Sequence, residues 1–111
     1  MSVTVKVLIP AKTAENVQTT QYTATGVTTI IDKFTATNYS ANAATISVNL
    51  VTSADTAGNQ NLIVKTKTLQ ATESYTFPEL VGHVLAPGGS ISTIAGTASA
   101  INIRASGREV T

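Results

Sequence analysis

Ala44, Ile46, Val48, Leu50 and Thr52 alternate with Thr45, Ser47, Asn49 and Val51. A repeat of two residues is the mark of an extended strand with one buried face. The same period returns twice: Val3, Val5, Val7 and Ile9 alternate with Thr4, Lys6 and Leu8, and Leu62, Val64, Thr66 and Thr68 stand opposite Lys65 and Lys67. Lysine on an open strand face guards against edge-to-edge sheet pairing. Helical spacing occurs once, in Pro78–Leu85, where Leu80, Val81, Val84 and Leu85 recur at turn intervals. Proline at a first helical position predicts one short helical turn there, stopped by Pro87-Gly88-Gly89. The 20 threonines, 11 valines and 9 isoleucines of the chain suit a pleated, half-buried surface.

The remaining segments fill in the same picture. Pro10 is expected to end the first strand, because it has no ladder donor, and Ala11–Gln18 reads as a loop or arm. Thr19–Thr25 is a second strand carrying Tyr22 and closed by Gly26. Val27–Tyr39 is the longest extended run, with Ile30, Phe34 and Ala36 on one face and Thr29, Ile31, Lys33 and Thr35 on the other. Ser53–Asn61 is a polar tip. Tyr75 and Phe77 point inward, Ile91–Ile94 and Ala100–Ala105 close the fold, and Gly107–Thr111 has no evident partner. A length of 111 residues allows one domain spanning 1–111. About eight short strands at roughly ten-residue spacing predict an all-β antiparallel sandwich, immunoglobulin-like or jelly-roll.

Chemistry is sparse. Cysteine is absent, which removes thiol catalysis, disulfides and thiolate metal sites together. His83 is the only histidine; no Gly-x-Ser-x-Gly elbow accompanies it, and one imidazole does not make a zinc site. Its apolar surroundings predict a partly buried or interface side chain. Glu15, Asp32, Asp55, Glu73, Glu79 and Glu109 are scattered without the defined separation that paired carboxylate chemistry needs. Asp55, Asn59 and Asn61 match no calcium-loop spacing, and Pro87-Gly88-Gly89-Ser90 lacks the lysine of a phosphate loop. Arg104 and Arg108 are read as solvated or ion-paired. With a net charge of +1 and no basic cluster, nucleic acid is a poor partner. No apolar run reaches the ~18 residues of a membrane helix. No enzymatic activity, cofactor, metal or small-molecule substrate is expected. The start Met1–Lys6 carries no signal-peptide pattern, so synthesis in a cytoplasm is expected.

Two stretches carry a resemblance. One is Gly26-Val27-Thr28-Thr29-Ile30-Ile31-Asp32-Lys33-Phe34-Thr35-Ala36-Thr37-Asn38 and the alternating strand after it. The other joins Tyr75-Thr76-Phe77-Pro78-Glu79-Leu80-Val81-Gly82-His83-Val84-Leu85 and Pro87-Gly88-Gly89 to Ile101-Asn102-Ile103-Arg104-Ala105-Ser106-Gly107-Arg108-Glu109. Together they resemble small β-rich virion structural proteins of tailed bacteriophages, over most of residues 20–111. The resemblance implies a sandwich present in many copies on a symmetric particle. The implied role is that of a capsid decoration or cementing protein bridging subunits of the major capsid protein, and the alternative is a tail, neck or fibre accessory or adhesion module. The implied place is the virion, after synthesis in a host bacterium.

Composition agrees with a life in an assembly. Charged residues make up 12% of the chain, about half the usual share, and a nearly neutral surface favours association. A homo-oligomer with closed symmetry is the expected form. The expected subunit contacts are Val3 and Val5, in a strand able to add to a neighbour's sheet edge, and the turn residues Leu80, Val81, His83, Val84 and Leu85. The competing reading of that turn is a cap over the sandwich end.

Overall fold

A computed structural model describes residues 1–111. The alternating segments become nine strands: β1 (Val3–Thr13), β2 (Thr19–Thr23), β3 (Thr28–Asn38), β4 (Ala44–Val51), β5 (Leu62–Leu69), β6 (Ser74–Tyr75), β7 (Val84–Leu85), β8 (Ser90–Ala95) and β9 (Ile101–Val110). All pairings are antiparallel, and one set is nested: β1 with β9, β2 with β8, β3 with β6 and β7, and β4 with β5; β9 also pairs with β3, and β8 with β4. This is one long hairpin rolled on itself. It yields a first sheet β1-β9-β3, completed by β6 and β7 at opposite ends of β3, and a second sheet β2-β8-β4-β5. The two-sheet arrangement is a jelly roll, and it differs from the immunoglobulin grouping of strands.

Twenty-two buried residues form one core between the sheets. Phe34 and Phe77 meet edge to face at 5.0 Å, and Tyr75 meets Phe77 in the same way at 4.7 Å, contacts worth roughly 0.5–1.5 kcal/mol each beyond simple burial. On β5 a register shift between Val64 and Lys67 breaks the expected alternation: Thr66 and Thr68 are exposed, and Lys67 comes to the side of the buried Leu69, with its Nζ 4.5 Å above the Tyr75 ring. Asn38, fully buried on β3, donates to the carbonyls of Asn42 and Leu69 and accepts from the Ser40 N–H and hydroxyl.

Four further local expectations are corrected. The segment after Phe77 does not become a helical turn. Leu80 N–H bonds to Phe77 C=O and His83 N–H to Leu80 C=O, two successive tight turns that lead directly into β7. The one short helix is the 3₁₀ turn Asn59–Asn61 in the polar tip. Pro10 does not end β1. Register shifts between Val7 and Ile9 and between Ile9 and Lys12 take it into the sheet edge, where no ladder donor is required.

On β3, a register shift between Ile31 and Lys33 leaves Asp32 as the extra residue. The bulge reverses the alternation, so Thr29 and Ile31 share the core face with Phe34 and Ala36, and Ile30 faces out. Finally, Gly107–Val110 has two partners, lying between Val3–Lys6 of β1 and Thr28–Ile31 of β3. Gly107 is required at that crossing, because a methyl group there would overlap the Ile30 carbonyl oxygen and press on Leu8 Cδ1 at 2.9 Å.

Candidate functional site

The free end of the first sheet presents one continuous outer surface. Val5 pairs with Arg108, Arg108 with Ile30, and Ile30 with Val84, so their side chains stand in one row across β1, β9, β3 and β7. Val3, Val110 and Thr28 form the next row. With strands ~4.8 Å apart the row is about 14 Å wide. Val3, Val5, Val7 and Val84 are exposed, Val5 at 84%, while Ile30 and Val110 are half-buried between them.

Arg108 is the only charged side chain in the row, and its charge is turned aside. Its Nε and Nη2 bond to the two Asp32 oxygens at 3.0 and 2.8 Å. The β3 bulge thus places a carboxylate where this guanidinium is met bidentately. The pairing holds the Asp32 carboxyl below its usual range and raises the Arg108 guanidinium.

The inner side of the same end is polar and clamped. Tyr22, reaching across from β2, gives its single proton to Glu109 at 2.6 Å, so the Thr29 hydroxyl, also at 2.6 Å, must donate to the phenol oxygen. Burial, reinforced by the neighbouring carboxylate, pushes the Tyr22 phenol up to about 12. The Tyr22 hydrogen bond in turn holds Glu109 below the ordinary carboxylate range, with help from Lys6, whose Nζ lies 3.2 Å from it. This chain of contacts fixes β1, β9 and β3 to the second sheet and makes the valine surface a rigid one.

The expected contact residues divide. Val3, Val5, Val81 and Val84 are exposed, and the two segments that carry them, far apart in sequence, meet at this end. Leu80 (0% exposed) and Leu85 (4%) belong to the core and are not subunit contacts. Leu85 follows Val84 in an extended strand and so points to the opposite, inner face. Leu80 is drawn inside by the turn that Phe77 anchors. His83 is exposed, not half-buried: its backbone C=O accepts the Ile31 N–H at 3.0 Å while its ring is left free. That ring borders a shallow cleft of about 230 Å³ with Leu50, Ile63 and Pro87, below the usual size of a small-molecule site. Ile30, expected on one face with Phe34 and Ala36, instead joins this outer surface, as does Val110, and neither is among the expected contacts. Nothing in the order of residues announces the bulge that exposes Ile30.

The six carboxylates are each occupied by their own chain. Glu15 takes Lys12 Nζ at 2.8 Å and Gln21 Nε2 at 2.9 Å, and these donors, Lys12 first, lower it to about 2. Glu79 accepts the Tyr75 hydroxyl, and Glu73 the Gln70 N–H. Asp55 accepts from Thr56 N–H, Gln60 and Asn61; donors converge on it, the reverse of what a cation needs. No three His, Asp or Glu side chains come together. What this end offers is therefore area and shape. In comparisons with known proteins, no family model, no curated protein and no solved structure matches the chain.

Proposed function

We propose that this chain is a bacteriophage virion structural protein, a capsid decoration or cementing protein that docks on the major capsid protein and bridges its subunits. The observation that carries the reading is the valine row Val5-Arg108-Ile30-Val84, solvent-facing yet rigidly backed by the Tyr22-Glu109-Thr29 clamp. A cementing protein has no turnover to perform. It needs a fixed apolar surface that sheds little bound water when covered, ringed by polar groups that set its orientation. The resemblance of residues 20–111 to small phage structural proteins supports the same reading. Jelly rolls also build lectin and cupin domains, so the role is argued from the face and not from the fold.

The test is to label the protein on purified particles and to compare it with Val84→Glu. Label over the whole head, lost in the variant, is the expected result. Label confined to the tail or neck replaces cementing with the accessory or adhesion role, and no particle-bound label at all overturns the virion reading. Val84 is exposed, so circular dichroism of the variant should match the parent.

A further inference from the structure

β1 is the outermost strand of the first sheet, with β9 on one side and nothing on the other. Ser2 and Thr111 exchange both backbone bonds, at 3.2 and 2.9 Å. Pairing then runs without a break from Val3–Val110 to Val7–Ser106. Hydrogen-bonded and non-bonded pairs alternate along an antiparallel ladder. Thr4 and Lys6 therefore turn their N–H and C=O groups to β9, and Val3, Val5 and Val7 turn theirs to the open edge. The later half of β1 is defended by the irregularity at Leu8, by Pro10 and by Lys12, the ordinary devices against unwanted strand addition. The first half carries only Lys6, and that lysine is held by Glu109 of its own chain.

We infer that this edge pairs with the same edge of a second copy, antiparallel about a two-fold axis through Val5. In this register Val5 faces Val5 of the other copy, and Val3 faces Val7. All six outward backbone groups of Val3, Val5 and Val7 are then satisfied, and both lysines lie opposite Thr4. A slip by one step to a centre at Lys6 sets ammonium against ammonium, which is destabilising. A slip the other way, to a centre at Thr4, leaves Val7 facing Met1 beyond the end of the strand. The two-fold contact is self-complementary and closes at two copies. Because the valine side chains stand on the outer face, pairing sets two valine surfaces edge to edge, doubling the area offered to a shell. The inference deepens the docking reading, but it stands on edge geometry alone.

The chain has no cysteine, so single thiols report the register. Facing residues of a hydrogen-bonded pair have Cα atoms about 5.5 Å apart, within disulfide range; the two copies of Val3 would be about 14 Å apart, outside it. The expected results are a light-scattering mass twice 11.4 kDa for the parent, rapid oxidative cross-linking of Val5→Cys, and none of Val3→Cys. Val5→Lys, placing like charges at the axis, should shift the protein to the single-chain mass with its circular dichroism unchanged. A parent of single-chain mass, a Val5→Cys that stays uncross-linked, or a Val3→Cys that cross-links equally fast overturns the pairing. Cross-linking by Val5→Cys with no label on particles keeps the pairing and removes the virion role.

Discussion

The two sheets of this jelly roll turn opposite characters to solvent. On the second sheet, Gln18 donates to Ser92 Oγ at 2.7 Å and to Asn49 Oδ1, and Asn49 donates to Asn61 Oδ1 at 2.7 Å and to the Gly58 carbonyl. Ser47 Oγ accepts the Thr66 N–H, tying down the β5 edge. The buried polar side chains of that face, Asn49 and Ser92, find their partners within the chain, and in that sense the face is finished. The valine end of the first sheet has no such network. Its outward side chains are hydrocarbon apart from Thr28 and Arg108, whose charge is met by Asp32. A surface that satisfies itself has nothing to gain from a partner, whereas an apolar surface held rigid gains by being covered.

Substitutions can break this comparison or sharpen it. The largest effect is expected at Gly107, where a methyl group overlaps the Ile30 carbonyl. Gly107→Ala should cost about 3 kcal/mol in urea unfolding, the upper range for overpacking, and should abolish docking through loss of the valine rows. Asn49→Ala, on the finished face, leaves Asn61 and the Gly58 carbonyl without their shared donor. A loss of about 2 kcal/mol is expected, with docking intact once the protein is folded. Tyr22→Phe removes the proton given to Glu109 and the acceptor of the buried Thr29 hydroxyl. Chemical denaturation should register about 1–2 kcal/mol, together with weaker docking.

A smaller effect concerns acid. Lys12 and Gln21 hold the Glu15 carboxyl at about 2 against an ordinary 4.5. A depressed carboxyl stabilises the fold fully above the unfolded value and loses that contribution as pH falls from about 4.5 toward 2. The melting temperature of the parent should therefore drop more steeply over that window than that of Glu15→Gln. The difference should stay under about 1 kcal/mol because the pair is exposed. Smallest of all in stability is Val84→Ser, expected within about 0.5 kcal/mol of the parent, although it is an exposed member of the proposed contact row. Equal stability with lost docking is the signature that separates this face from the other.

Alternation was enough to read the strands from the sequence, because a period of two survives wherever one face is buried. It marks the bounds of β4 and β5 closely, and Tyr75 and Phe77 point inward as expected. It misled wherever a bulge interrupts it. The additional residue at Asp32 puts Ile31 in the core and Ile30 in solvent, and only the cross-strand register with Gly107 and Ser106 reveals the reversal. Pro78–Leu85 looks helical because Leu80 and Val84, and Val81 and Leu85, stand four residues apart, yet each pair has one core member and one exposed member, as successive turns allow and a helix face does not. Val3, Val5 and Val84 carry the expectation of contact one segment at a time. That they belong to a single surface depends on β9 and β3 lying between them, which no local pattern encodes.

The nested pairing has a consequence for how the chain comes into being. Val3 meets Val110, 107 residues later in the sequence, so the first strand made is among the last to find its neighbour. Until β9 emerges from the ribosome, β1 has two open edges in place of one, and its valines have no sheet beneath them. Contacts of such long range also make for slow closure. A strand with an open edge during synthesis is exposed to premature association, and the burden of preventing it falls on Lys6, Pro10 and Lys12 before any tertiary contact exists.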